Sequence, residues 1–200
     1  MARPRTHTDD ELLERIEAAL QDRPRVDWTL AEVASSAGVH AATLVKRFGS
    51  KRGLTAAISE RWIDGIPTAP TTGDPVRELH AWIDAAGNGA ARAGGTEHHA
   101  AENAPTDRLR AAADIAMLLD DLLDDELGAL LQQGWAAQAS YVRSLLAAAR
   151  ASGALTRAPE DTVAAQILLD TLAGERLRHA ASAEHTRTIR TTRSLLESWT

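Results

Sequence analysis

The chain has 200 residues and a formal net charge of −6, and it contains no cysteine. That length is enough for one large or two small domains, and the lack of cysteine excludes disulfides, thiolate metal sites and cysteine nucleophiles. Apolar residues make up 44 % of the chain but aromatic residues only 4 %. Helix-forming alanine and leucine dominate and no segment alternates as a strand would, so the predicted fold is all-α.

The first predicted helix begins at Thr8, because Thr8 and Glu11 have the spacing of a capping box, and it runs to about Leu20. A short arm with Arg3 and Arg5 precedes it. That arm is either a frayed terminus or a tail that reaches DNA. No apolar stretch has the length of a signal peptide core or a membrane span, so we expect a cytoplasmic protein.

The next segment predicts two short helices around a tight turn. Thr29 and Glu32 form a second capping box, Gly38 suits the turn, and a second short helix covers about residues 40–48. A longer helix then follows from Lys51 to about Gly65. Two short helices about a glycine turn form a helix-turn-helix, whose second helix can lie in the major groove of DNA.

Charge supports contact between this segment and DNA. No acidic residue occurs between residues 33 and 59, whereas the whole chain is acidic. A local basic surface of this kind attracts phosphates. The alternative is three packed helices with a solvated basic face. The candidate DNA-binding residues are Thr29, His40, Ala41, Thr43, Lys46, Arg47, Lys51 and Arg52.

The same segment resembles the DNA-binding domain of the TetR family of transcriptional regulators. The residues that match the family pattern are Thr29, Val33, Ala34, Ala37, Gly38, Val39, Thr43, Leu44, Phe48, Ser50, Lys51 and Leu54. Three positions depart from it, since His40 replaces a serine, Val45 a tyrosine and Arg47 a histidine or tyrosine. The resemblance implies a DNA-binding domain at residues 1–65 and a helical regulatory and dimerisation domain at residues 66–200.

The second half of the chain continues in helical patterns after a connector rich in proline, threonine and glycine at residues 67–73. The predicted helices begin at Pro75, span 109–123 and 124–152, begin again at Pro159, and span about 183–199. The resemblance implies that the helix at 51–65 joins the two domains and carries a ligand signal. It also implies a dimer interface between the C-terminal helices. The candidate interface residues are Leu145, Ala165, Leu168 and Leu172.

Scarce aromatic residues in the second half suggest a ligand pocket, although packing in a core would explain them equally well. The candidate pocket residues are Trp82, His99, Leu118, Trp135 and Tyr141. His98, His99 and Glu102 have a spacing that a divalent metal could use, but two histidines and one carboxylate more often form a surface or pocket-lining group. We therefore expect no metal and no cofactor. Glu175 and His179 have the spacing of an ordinary helix pair.

No nucleophile motif, phosphate loop or dinucleotide-binding motif occurs, so the sequence predicts a protein that is not an enzyme. The resemblance implies a ligand-responsive regulator, with a repressor favoured. Such a protein binds a palindromic operator in double-stranded DNA as a homodimer, and a small apolar inducer releases it. The alternative is an all-α ligand-binding or scaffolding protein whose basic head binds an acidic protein partner.

Overall fold

A computed structural model of the chain describes residues 8–22, 27–87, 104–181 and 189–200. Within these ranges all regular secondary structure is helical, as predicted. The helices are α1 (Asp9–Asp22), α2 (Leu30–Ser36), α3 (Ala41–Phe48), α4 (Lys51–Asp64), α5 (Pro75–Gly87), α6 (Ala104–Leu122), α7 (Asp125–Ala151), α8 (Asp161–Ala181) and α9 (Arg190–Glu197).

The first four helices surround one hydrophobic core. Its buried residues are Leu12, Leu13, Ile16, Trp28, Val33, Ala34, Ala37, Leu44 and Leu54. Both predicted capping boxes form, since the backbone N–H of Glu11 donates to Thr8 Oγ1 over 3.2 Å and that of Glu32 donates to Thr29 Oγ1 over 3.2 Å. Gly38 occupies the turn between α2 and α3 with φ of 71°, a left-handed conformation that glycine adopts at little cost.

A second hydrophobic core lies among α5, α7, α8 and α9. Its buried residues are Leu79, Ile83, Tyr141, Val142, Leu145, Leu146, Ala149, Leu155, Ala164, Ala165, Leu168, Leu196 and Trp199. Helix α4 connects the two cores because it packs against α7. The Trp62 ring of α4 lies directly on Gly134 of α7, where a Cβ atom would be only 2.0 Å from Trp62 Cζ3.

Three helices begin two or more residues away from their predicted starts. Helix α6 begins at Ala104 rather than at residue 109. Helix α8 begins at Asp161 rather than Pro159, since the Glu160 carboxylate accepts from the backbone N–H groups of Thr162 over 3.0 Å and Val163 over 3.3 Å. This is the arrangement of a helix N-cap. Helix α9 spans Arg190–Glu197, and the earlier part of the predicted 183–199 helix, up to residue 188, lies outside the described residues.

Helix α9 receives its cap from a different helix. Ile189 precedes it and makes no capping bond from its side chain. Instead the buried Glu175 carboxylate of α8 accepts from the backbone N–H groups of Thr191 over 2.7 Å and Thr192 over 3.1 Å. The prediction of a simple helix pair between Glu175 and His179 missed this role.

Candidate nucleic-acid interface

Helix α3 has one face in the first core and one face in solvent. Leu44 is fully buried, and Ala41 and Phe48 pack partly against the same core. A helix of 3.6 residues per turn then turns Ala42, Val45 and Lys46 outward together. All three are exposed. The outward face of α3 therefore presents two apolar side chains and one ammonium group.

His40 and Thr43 flank that face. His40 is exposed at the N-cap position of α3 and makes no capping bond from its side chain. Thr43 is half-buried, and its backbone N–H donates to His40 O over 2.8 Å. Thr29 lies at the start of α2, where its hydroxyl donates to Glu32 Oε2 over 2.8 Å. The structure thus uses the Thr29 hydroxyl within the cap.

Arg47 does not lie on the outward face, contrary to its prediction as a DNA-binding residue. Its guanidinium donates to the backbone oxygen of Thr8 over 3.1 Å and pairs with Asp9 at 3.0 Å. Only 13 % of the side chain is exposed. The Arg47 position lies on the flank of α3 beside the first turn of α1, so its nearest anionic partner is within the protein.

Lys51 and Arg52 open α4 and differ in their surroundings. Lys51 is half-buried, with Nζ 4.4 Å from the centroid of the Trp28 ring, a cation–π geometry. Ser50 caps the helix by accepting from the Gly53 N–H over 3.1 Å. Lys51 therefore places a positive charge at the N-terminus of α4, where an anion is also favoured by the helix dipole.

Arg52 binds the second half of the chain, a placement that does not match its predicted phosphate contact. Its Nε and one terminal nitrogen donate to the two Asp124 oxygens over 2.6 and 2.8 Å, and it pairs with Glu126 at 3.0 Å. The bonds from Arg52, with those from Leu127 and Glu126 N–H groups, lower the pKa of Asp124 to about 2. Arg52 thus ties α4 to the N-terminus of α7.

The predicted pocket residues do not form one group. Tyr141 is buried in the second core, and Trp82 packs partly against it. Leu118 on α6 is half-buried, whereas Trp135 lies at the surface with 42 % exposed. His99 lies outside the described residues. The structure therefore supports the alternative of core packing for Tyr141 and Trp82.

The Tyr141 hydroxyl belongs to a hydrogen-bond network that sequence reasoning missed. It donates to the buried Glu78 carboxylate over 2.5 Å. The same carboxylate accepts from the N–H and hydroxyl groups of Thr71 and Thr72 in the connector, over 2.7 to 3.1 Å. Burial alone would raise the pKa of Glu78, but these donors outweigh it and lower the pKa to about 2. Burial and the bond to Glu78 raise the pKa of Tyr141.

The predicted dimer residues are buried within the chain itself. Leu145 and Leu168 are 0 % exposed, Ala165 2 % and Leu172 4 %, so all four are buried within the single chain, and their place in a dimer interface stays a prediction. Helices α7 and α8 carry apolar residues on more than one face, and these four residues face their own core. The exposed apolar residues of α8 are Val163 at 50 % and Leu177 at 58 %.

Neither a metal site nor a membrane span occurs among the described residues. No three histidine or acidic side chains there lie together in a way that could hold a metal ion, and none of the described helices is long and apolar enough to cross a membrane. His98, His99 and Glu102 lie outside that part of the chain.

Comparison with known proteins identifies the fold. No protein-family model matches the chain, and no curated protein sequence matches it. A TetR transcription regulator of Haloarcula marismortui superposes with a TM-score of 0.64 at 17 % identity, covering 95 % of this chain and 94 % of that one. A Rhodococcus protein assigned provisionally to the TetR family gives 0.61 at 18 % identity, covering 95 % and 97 %.

A third solved structure, Salmonella enterica GusR, gives a TM-score of 0.56 at 15 % identity, covering 95 % of this chain and 92 % of that one. All three likenesses extend over nearly the whole chain. The chain therefore has the fold of the solved TetR-family transcription regulators.

Proposed function

We propose that this chain is a TetR-family transcription regulator and that α2 and α3 form its DNA-binding helix-turn-helix. The supporting observation is the outward face of α3. Lys46 is exposed there, within a segment that has no acidic residue from 33 to 59. In a helix-turn-helix protein this is the surface that enters the major groove, and Lys46 would contact a phosphate or a guanine edge.

Two arginines predicted to bind DNA are left out of the proposed contacts. Arg47 and Arg52 bind Asp9 and Asp124 in the free protein, so we assign the contacts with DNA to a smaller set. The set is His40, Ala41, Thr43, Lys46 and Lys51, without Thr29, whose hydroxyl is held in the cap of α2. In this arrangement residues 1–65 serve as the DNA-binding domain and residues 66–200 as the regulatory domain.

We place the homodimer contact on the exposed face of α8 rather than on its buried face. Val163 and Leu177 lie fourteen positions apart, close to four helical turns, and so share one side of α8. Two copies joined through this side would present two α3 helices to a palindromic operator. The half-sites of such an operator lie about one helical turn apart, ~34–36 Å.

The contacts of α4 suggest how a ligand would act. Helix α4 begins beside the DNA-binding surface and packs on α7 through Trp62 and Arg52. A small apolar inducer bound among the helices of the second core would favour one position of α7 over another. A change in the position of α7 would move α4, which packs on it, and with α4 the DNA-binding helices. The inducer would thereby lower the affinity of the protein for its operator, as in a repressor.

The test is a titration of the purified full-length protein against DNA from upstream of its own gene, with excess random duplex as competitor. We expect competitor-resistant binding that weakens strongly in Lys46→Ala. Arg77→Ala is the matched control, because Arg77 is also an exposed basic residue but lies on α5. An equal loss of DNA affinity in both variants would show that the protein binds DNA only through nonspecific attraction between charges. No binding to upstream or selected genomic DNA would reject the proposal in favour of an acidic protein partner.

A further inference from the structure

We infer that Val45 is a specificity-determining residue that reads the operator through the methyl groups of thymine. This inference rests on the proposed DNA-binding function and assigns the chemistry of its central contact. Val45 lies in the middle of α3, on the face turned away from the first core, and 49 % of it is exposed.

The groups that could read bases by hydrogen bonds are few on this helix. The sequence of α3 is AATLVKRF, which contains no asparagine or glutamine. Those side chains and arginine make the bidentate bonds that identify adenine or guanine. The single arginine, Arg47, is turned to Thr8 and Asp9 on α1. Lys46 remains, and a lysine ammonium contacts phosphates as readily as bases.

The rest of the outward face is apolar. Ala42 lies one turn before Lys46 and is exposed, and Val45 lies beside both. Leu44 and Phe48 already fill the core side of the helix, so Val45 does not serve internal packing. In the major groove, the apolar group that distinguishes one base from the others is the C5 methyl of thymine. The side chains of Ala42 and Val45 are complementary to it.

Charge indicates that the occupant of this apolar face is DNA. The face lies in the stretch without acidic residues and includes Lys46, and Lys51 follows at the start of α4. These cations favour contact with phosphates near the helix. Contact between Val45 and a thymine methyl would remove both from water, and we therefore expect an A·T pair opposite Val45 in each half-site.

The experiment begins with selection of binding duplexes from a random pool by the full-length protein. In the selected duplex each thymine is replaced in turn by deoxyuridine, which removes the C5 methyl and keeps every hydrogen-bonding group. We expect affinity to fall about 4-fold for each contacted methyl, the value of one buried methylene group. In Val45→Ala the same replacement at that position should have little effect, because the contact is already lost.

The variants separate the possible outcomes. Val45→Thr keeps the side-chain shape and one methyl group. The loss of affinity that deoxyuridine causes in this variant should therefore lie between the losses in the wild type and in Val45→Ala. Leu119→Ala removes a similarly exposed apolar side chain, 57 % exposed on α6, and should leave the pattern unchanged. Selected DNA that tolerates deoxyuridine throughout would overturn the inference while leaving DNA binding intact. Failure to select any sequence would overturn the proposed function itself.

Discussion

Two buried carboxylates show how single residues hold the second half of this fold together. Glu78 accepts hydrogen bonds from the connector and from the Tyr141 hydroxyl, and Glu175 caps the N-terminus of α9. Each carboxylate accepts bonds from backbone N–H groups, and a hydrogen bond to a charged group contributes about 1.5–3 kcal/mol. Tyr141 lies 63 positions from Glu78 and Thr192 lies 17 positions from Glu175, so spacing along the chain does not reveal these two contacts.

The Glu78 network predicts a loss of stability in acid. Folding lowers the pKa of Glu78 from 4.5 to about 2, so its contribution is fully present above about pH 4.5 and is lost as the pH falls toward 2. Glu78→Gln removes this titration. The free energy of unfolding, measured by urea denaturation between pH 7 and 2, should therefore fall less steeply for Glu78→Gln than for the wild type.

A matched control for this measurement is Glu197→Gln, which changes an exposed carboxylate on α9. It should follow the wild-type curve. Parallel curves for the wild type and Glu78→Gln would show that the Glu78 network makes no contribution in acid. Glu175 and Asp124, whose pKa values are also lowered, keep some dependence on pH in every variant.

At the scale of helices, the contact between α4 and α7 connects the two cores. It has an apolar part, Trp62 on Gly134, and an ionic part, Arg52 with Asp124 and Glu126. The ionic part is exposed, and an exposed ion pair adds little stability by itself. The apolar part is close-packed, so we expect it to determine where α4 lies.

Gly134→Ala tests this contact. The added Cβ would lie 2.0 Å from Trp62 Cζ3, so the ring and α4 must move, and we expect a destabilisation of about 1–3 kcal/mol. Gly128→Ala is the control on the same helix, because its nearest atom would be 3.7 Å away. That change should be neutral or stabilise by about 0.5–1 kcal/mol. Thermal unfolding that ranks the two variants in the opposite order would reject close packing at Gly134.

The helices themselves were largely predictable from sequence, and their partners were not. Capping boxes at Thr8 and Thr29 and the turn glycine Gly38 are local signals, and the structure confirms all three. The buried face of α8 is different. Val163 and Leu168 are both apolar, and only the assembled core determines that Leu168 is buried and Val163 exposed.

In the candidate DNA-binding site, too, exposure on a helix was predictable from the sequence and partners distant in sequence were not. Lys46 was predicted to contact DNA from its place on α3, and it is exposed. Arg47 and Arg52 are basic residues in the right segment, yet each pairs with a carboxylate. Asp124 lies far along the chain from Arg52, and composition gives no indication that the two meet.

At the level of the whole molecule, a first part with no net charge, which contains the basic stretch 33–59, is joined to an acidic second part. Residues 1–65 carry as many basic as acidic residues, so the net charge of −6 belongs to residues 66–200. An acidic second part repels DNA and would restrict contact to the first part. Affinity for DNA should therefore depend on a few phosphate contacts and fall as salt releases them.

The role of α3 as the reading helix is tested most directly by the slope of log K against log salt concentration for the selected duplex. Each phosphate contact contributes about −0.9 to that slope. If a dimer places Lys46 of each copy on a phosphate, Lys46→Ala should reduce the slope by about 2, and Arg77→Ala should leave it unchanged. The same slope in all three proteins, or no preference for the selected duplex over random DNA, would contradict the assignment of α3 as the reading helix.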